Sequence, residues 1–266
     1  MSRPSDTSMN PYAFEKNIHP IQVRTLYVES IQQLSDTMVR IHVGGEQAEG
    51  FYSPGFDDHV KLFFPPQGHT QFALPQIGER GVVYDDSLPK PLTRDYTPRY
   101  YQPAKRQIAL DFVLHEGGVA AEWAQNAQVG DALTLAGPRG SILIPTRFDW
   151  ELLIGDETAL PAIGRRLEEL PATTTAWVFV AISSSQARQH LVSQASLQLQ
   201  WLVLDASSPA SEQLVAAIKA FELPSGEGMA WGGVEGSLVA PLRDLLLSKG
   251  LPLERQKISS YWKHAV

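Results

Sequence analysis

Between Ile21 and about Ile144, apolar and polar residues alternate in short runs that glycine and proline interrupt. Ile108, Leu110, Phe112 and Leu114 alternate with Ala109, Asp111, Val113 and His115. That period of two predicts a strand with one set in a core and the other outside it. Val39, Ile41 and Val43 repeat the pattern. Residues 59–64 and 133–136 read as further strands, closed by Pro65-Pro66 and Gly137-Pro138. Many short strands with frequent turns predict a barrel.

Beyond about Pro145 the rhythm changes. Residues 150–154, 176–182 and 199–204 are continuous apolar runs, the pattern of strands buried on both faces of a parallel sheet. Between and after them, Leu160, Ile163, Leu167 and Leu170 recur at helical spacing, as do Leu214, Ala217, Ile218 and Phe221, then Leu238, Leu242, Leu245 and Leu246. Strands alternating with helices predict an α/β domain. The expected organisation is a flexible polar tail over residues 1–18, a β-barrel domain over 19–147 and an α/β parallel-sheet domain over 148–266.

Composition narrows the chemistry. Hydrophobic residues make up 43% of the 266 residues and charged residues 19%, ordinary values for a chain that folds. Twenty-two Lys and Arg stand against 29 Asp and Glu, a net charge of −7, which counts against a partner that must have many phosphates neutralised, such as nucleic acid. An anionic ligand would have to be held by local clusters. Cysteine is absent, which removes disulfides, thiolate nucleophiles and Cys-ligated iron–sulfur or zinc centres. Any redox chemistry then needs an organic cofactor. No basic-then-apolar leader and no run of about 18 apolar residues is present, so the expectation is a cytoplasmic protein without membrane insertion. The seven His form no H-E-x-x-H pair, and no Ser sits in a G-x-S-x-G elbow.

Four segments carry candidate chemistry. In Arg94-Asp95-Tyr96-Thr97-Pro98-Arg99-Tyr100, a guanidinium that can fork two phosphate oxygens precedes an aromatic face suited to a flat heterocycle. A hydroxyl follows that could reach a ring nitrogen. The same residues also suit an edge strand before a proline turn. In Asp111–Trp123 a strand runs through His115 into Gly117-Gly118 and the small residues of a helix start, whose backbone N–H groups could receive a diphosphate. An ordinary glycine turn, with His115 capping a backbone group and Trp123 filling core, is the plainer alternative. Arg139, between Gly137 and Gly140, lies just before the domain boundary, where Lys61 from the 59–64 strand could join it. Each could equally be a solvated surface charge.

In the α/β domain, Gly155-Asp156-Glu157-Thr158 follows the first buried run, at the strand end where open α/β sheets bind nucleotides. No G-x-G-x-x-G is present there. Asp156 and Glu157 would repel a pyrophosphate, so a nicotinamide nucleotide is expected to bind loosely or extended. The later Ser183–Arg188 stretch offers hydroxyls and a guanidinium to a 2′-phosphate, although serines before a helix also serve as caps.

Taken together, R-D-Y-T-P-R, F-D-D-H-V-K-L-F-F-P, D-F-V-L-H-E-G-G-V-A-A-E-W-A, G-D-A-L-T-L-A-G-P-R-G-S, G-D-E-T-A-L-P-A-I and the final S-Y-W-K-H resemble the siderophore-interacting protein family of ferric-siderophore reductases. The motifs run in family order over about residues 20–264. The resemblance implies a ferredoxin–NADP reductase-like fold, with a six-stranded antiparallel barrel holding FAD and then a nicotinamide-binding-like α/β domain. It implies that Arg94 contacts the FAD phosphates, that Tyr96 packs on the isoalloxazine and that Thr97 approaches N5. Asp111, Phe112, Val113 and His115 would line the cofactor. Gly118, Val119, Ala120, Ala121 and Trp123 would cradle its diphosphate and adenosine end, with Thr158 on the nucleotide side. Lys61, Arg139 and Lys257 match the family's basic pocket for an anionic ferric chelate.

The implied activity is electron transfer from NADPH or NADH through FAD to ferric iron, with no catalytic acid, base or nucleophile from the protein. Ferredoxin as donor, or a flavin or ferric-chelate binding protein without nucleotide turnover, are the alternatives. Two departures from the family pattern fall on the nicotinamide side. Trp231-Gly232-Gly233-Val234-Glu235 implies an altered loop, and Tyr261–Ala265 lacks a glycine that many relatives carry.

Overall fold

The computed structural model describes residues 10–78, 81–205 and 209–263. Its strands and helices are β1 (Glu15–Ile18), β2 (Val23–Ser35), β3 (Met38–Gly44), β4 (Val60–Phe64), β5 (Gln76–Gly78), β6 (Gly81–Val83), β7 (Leu92–Tyr96), β8 (Pro98–Gln102), β9 (Gln107–Val113), α1 (Val119–Asn126), β10 (Ala132–Ala136), β11 (Gly140–Leu143), β12 (Trp150–Asp156), α2 (Leu160–Glu169), β13 (Thr175–Ile182), β14 (Ser196–Val203), α3 (Ala210–Ala220), β15 (Gly228–Glu235), α4 (Val239–Ser248) and β16 (Gln256–Trp262).

Seven strands form one antiparallel sheet in the order β7-β4-β10-β2-β3-β9-β8. Its two edge strands, β7 and β8, are separated in sequence by Thr97 alone. Two Cα steps span at most about 7.6 Å, so the edges meet and the sheet curls closed. The expected six-stranded barrel is therefore present, its sixth strand bent at Thr97 and counted twice. Leu26, Ile41, Val43, Leu62, Leu110, Phe112 and Leu135 fill the interior with no exposed surface.

Two sequence expectations need correction here. The alternation in β9 does not leave one face in solvent, because Ala109 and Asp111 are buried along with Ile108, Leu110 and Phe112. Asp111 is enclosed because Arg40 on the neighbouring strand β3 donates to both its oxygens, at 2.6 and 2.8 Å. The end of the supposed tail is also ordered: Glu15–Ile18 form β1, paired antiparallel with β11. All four residues of β1 are exposed, so backbone pairing alone holds it and no apolar pattern announced it.

The second domain is a five-stranded parallel sheet in the order β14-β13-β12-β15-β16. The chain moves outward from β12 to β14 and then returns to β15 on the other side of β12, which opens a crevice at the carboxyl ends of β12 and β15. The segment Trp231–Glu235, read as a loop, lies within β15. Its glycine pair marks close packing: a Cβ at Gly233 would come 3.0 Å from the Tyr261 ring, and one at Gly232 equally near Ile258.

The two domains share a core in which Met38 and Phe56 from the barrel half meet Leu153, Ile163 and Trp231. Arg166 of α2 ties the connection between them. Fully buried, it donates to the Ile144 carbonyl at 3.0 Å and the Pro145 carbonyl at 2.7 Å, and forks onto Glu151 at 2.8 and 2.5 Å. Its guanidinium also lies over the Phe56 ring, 5.1 Å from the centroid.

Candidate active site

Tyr96 and Arg94 pair in register with Val60 and Leu62 of β4 and share their face. The Tyr96 ring lies 4.5 Å from Phe112, which in turn meets Trp123 of α1 at 5.6 Å. Burial holds the Tyr96 phenol well above its ordinary pKa, so it stays a neutral hydroxyl. Arg94, at the rim, is exposed and donates to the Thr93 carbonyl at 2.8 Å. Among the described residues Arg94 belongs to no ion pair. Its guanidinium therefore remains available to an anion.

Thr97 occupies the bend between β7 and β8 and is buried. Against it lies Tyr261 of β16, whose enclosed hydroxyl makes no hydrogen bond of good geometry. Burial and the nearby Asp57 and Asp156 carboxylates keep that phenol protonated.

At the other end of this aromatic row, β9 leads through His115 and Glu116 into Gly117, whose φ of +75° favours glycine. The first bond of α1 runs from the Glu122 N–H to the Gly118 carbonyl, 2.8 Å. The N–H groups of Val119, Ala120 and Ala121 thus have no partner within the helix, and Gly118 supplies no side-chain cap. A Cβ on Gly118 would lie 2.3 Å from the His115 ring, so His115 closes over this cradle while its Nδ1 sits 3.0 Å from the Glu116 carbonyl. The helix start carries partial positive charge and opens with Val119, Ala120 and Ala121, a fit for a diphosphate that the acidic Glu122 in the same turn opposes. Of the other residues expected to line a cofactor, Asp111 is committed to Arg40, Phe112 is enclosed and Val113 packs into the interdomain core.

The crevice of the parallel sheet is differently furnished. Asp156, at the end of β12, accepts from the Thr158 N–H at 2.8 Å and hydroxyl at 2.5 Å on one oxygen, and from the Trp262 indole at 2.7 Å on the other. Burial raises its pKa despite these donors. Glu157 accepts from the Ser183 N–H at 2.7 Å and hydroxyl at 2.6 Å. The two acids expected to face a phosphate are thus internal caps. Ser183, a candidate for a 2′-phosphate, is spent on one of them, while Arg188 remains exposed. His264 and Ala265 lie outside the described residues.

The three basic residues expected to form one pocket have separate partners. Lys257 of β16 pairs with Asp57 across the domain boundary. Lys61 sits four residues on, in register with Ala136, and pairs with Asp95 at 2.6 Å. Arg139 follows the Gly137-Pro138 turn, which packs against the His59 and Val60 backbone, and is exposed. The sequence displays these cations but not the acids that folding sets against them. Asp57 stood in view within F-D-D-H-V-K, but its partner lies 200 residues away and no local pattern links them. Trp231 and Tyr261 stand in the sequence as departures on the nicotinamide side, and only folding brings Trp231 to Asp57 and Tyr261 to Thr97.

Comparison with known proteins places each half. Residues 27–142 match the profile described as the siderophore-interacting FAD-binding domain, and residues 148–265 that of the siderophore-interacting protein. The chain belongs to the siderophore-interacting protein family. It is 36% identical over 246 residues to the NADPH-dependent ferric-chelate reductase of Escherichia coli (strain K12), covering 91% of this chain and 93% of that one. It is 31% identical over 237 residues to the ferric vibriobactin reductase ViuB of Vibrio cholerae, covering 86% and 85%. The crystal structure of a siderophore utilization protein from T. fusca superposes with a TM-score of 0.88 at 32% identity, covering 95% of this chain and 97% of that one.

Proposed function

We propose that this protein is an FAD-dependent reductase that passes electrons from NADPH or NADH to ferric iron in a siderophore or another chelate and releases Fe(II) in the cytoplasm. The observation that carries the reading is one row: an uncommitted Arg94, the Tyr96 ring and buried Thr97 on the barrel, with the open start of α1 beside them. The named activities of the two reductase relatives support it.

Bound FAD supplies the conversion between a two-electron hydride and one-electron acceptors. The protein's own work is to hold and orient. Arg94 and the N–H groups of Val119, Ala120 and Ala121 would bind the diphosphate, with Gly118 and His115 shaping the cradle. Tyr96 would carry the ring system and Thr97 would donate to or accept from its edge. Trp123 supports Phe112 and Phe64 from behind. Tyr261 and Trp231, whose rings meet edge to face at 5.8 Å, would close the site from the second domain. The crevice near Thr158, lined by two capped carboxylates, would take a nicotinamide nucleotide weakly. Iron release needs no cleavage of the chelator, because hard oxygen donors hold Fe(III) far more strongly than Fe(II).

An anaerobic visible spectrum tests this. NADPH should bleach the flavin bands of the purified protein, and a ferric chelate added with a ferrous trap should restore them and colour the trap. A yellow protein that NADPH leaves unchanged for minutes would sink the pyridine-nucleotide reading, and a protein that cannot be loaded with FAD would sink the whole.

A further inference from the structure

We infer that Asp156 and Glu157 are internal anions at the start of α2 that set donor specificity, disfavouring a nicotinamide nucleotide through its phosphates while leaving its nicotinamide end unaffected. The inference rests on the reductase reading above and names two residues that select among electron donors.

The crevice of an open α/β sheet lies beyond the carboxyl ends of the strands where the order reverses, here β12 and β15. A phosphate in such a crevice is received by the N–H groups of the helix start that follows a strand. Here the chain itself occupies that place. One Asp156 oxygen accepts from both the N–H and the hydroxyl of Thr158, at 2.8 and 2.5 Å. The buried Glu157 accepts from the N–H and the hydroxyl of Ser183, at 2.7 and 2.6 Å, where β13 ends. Beyond β15 the arrangement recurs: Glu235 accepts from the Ser237 N–H at 2.7 Å and from its hydroxyl. Backbone donors after all three neighbouring strands are thus taken by carboxylates of this chain.

Two further contacts keep Asp156 where it is. Trp262 is aligned with Glu235 in the pairing of β15 with β16, yet its indole donates to the second Asp156 oxygen at 2.7 Å. The ring therefore spans the end of β15 and ties β16 to β12 across the crevice. Gly155 packs the same turn against β15: a Cβ there would lie 2.4 Å from the Ala159 Cβ and 3.1 Å from the Gly233 carbonyl oxygen. Moving Asp156 aside would break three hydrogen bonds. Burial raises its pKa, but a proton on the second oxygen would face the indole N–H, another donor, so this set of partners favours the ionised form. Among the described residues neither Asp156 nor Glu157 joins an ion pair. The cations at this end stand on its flanks, Lys263 against Gly236 and the exposed Arg188 beyond β13. A diphosphate entering the crevice meets like charge at close range, whereas an uncharged dihydronicotinamide ring does not.

The test uses the FAD-loaded protein and three hydride donors: NADPH, NADH and N-benzyl-1,4-dihydronicotinamide, which carries no phosphate. Anaerobic bleaching of the flavin at increasing donor concentration gives an apparent dissociation constant for each. Glu157→Gln keeps an oxygen acceptor for Ser183 and removes the charge. It should lower the constants for NADPH and NADH about five-fold at low salt, the worth of one repulsion across a partly solvated gap, and leave that for the benzyl compound unchanged. Asp156→Asn combined with Trp262→Phe, so that no indole donor faces the new amide, should do the same relative to Trp262→Phe alone. This pair carries the test if Glu157→Gln loses FAD. High salt should shrink both gains.

A change shared by all three donors would mark a structural effect and overturn the inference, as would constants that neither variant alters. If no donor bleaches the flavin, the reductase reading is what has failed. Equilibrium binding of NADP+ to the oxidised protein, read by tryptophan fluorescence, then decides the charge inference on its own. Tighter binding by the charge-removed variants supports it, and equal or undetectable binding throughout overturns it.

Discussion

Replacing Arg166 with alanine is expected to lower the free energy of unfolding by about 3–5 kcal/mol, the usual cost of breaking a buried ion pair from one side. Arg166 and Glu151 have side-chain exposures of 1% and 0%. Without the guanidinium, the Glu151 carboxylate would face the interior of the second domain with no counter-charge, and the Ile144 and Pro145 carbonyls would lose their donor. The loss falls where the chain passes from one domain to the other, so the damage is to the joint as well as to α2. Replacing both residues by methionine removes the stranded charge and should recover a large part of the loss. The two carbonyls would remain unpaired, so recovery should be incomplete. Urea denaturation of the FAD-loaded proteins, followed by circular dichroism, measures all three. A loss under about 1 kcal/mol for Arg166→Ala would mean that the pair adds little and that packing over Phe56 holds the joint.

The second large effect concerns the cofactor. Arg94→Ala should weaken FAD binding by about 10- to 100-fold, the equivalent of losing one or two charge-assisted hydrogen bonds. Arg94 is exposed and, among the described residues, bonds to its neighbour's carbonyl and joins no ion pair. The folded protein gives up little when it is removed, and the apo variant should unfold at the same urea concentration as the apo wild type. Arg94→Lys should restore part of the affinity, because an ammonium keeps the charge but cannot fork two oxygens. Fluorescence titration of the apo proteins with FAD gives the three dissociation constants. Equal constants for Arg94→Ala and wild type would remove Arg94 from the phosphate site and leave the α1 start as its main holder.

The readable parts of the chain were those whose signal is local. A period of two in 108–114 and the Gly-Pro stops announced the barrel strands. Apolar runs announced β12 and β13, and the helical spacing of leucines announced α2, α3 and α4; the run at 199–204 announced a strand, but β14 is the sheet edge and none of its residues is buried, so the expectation of burial on both faces failed there. Candidate cofactor chemistry could be proposed at Arg94–Thr97 and Gly117–Trp123 because a possible phosphate fork, an aromatic face and a glycine-led helix start each occupy a few consecutive residues. Strands without such a signal escaped. β1 is polar and exposed, and is held by pairing with β11. β15 hides behind a glycine pair that reads as a turn until Tyr261 and Ile258 are packed onto it. β16, on the sheet edge next to it, was likewise visible only as a terminal motif.

By itself, then, the amino-acid order determined two domains of different architecture, a glycine-led helix start, the absence of any cysteine chemistry and a net charge of −7. Each follows from composition or from neighbours a few residues apart. Only the tertiary structure decided how the charges are spent. Asp111 is consumed by Arg40, Glu157 by Ser183, Asp156 by Trp262, and the cation of Lys257 by Asp57. A side chain's charge is a property of its type, but its availability depends on what folding brings within about 3 Å of it. In this protein those partners come from 26 to 200 residues away.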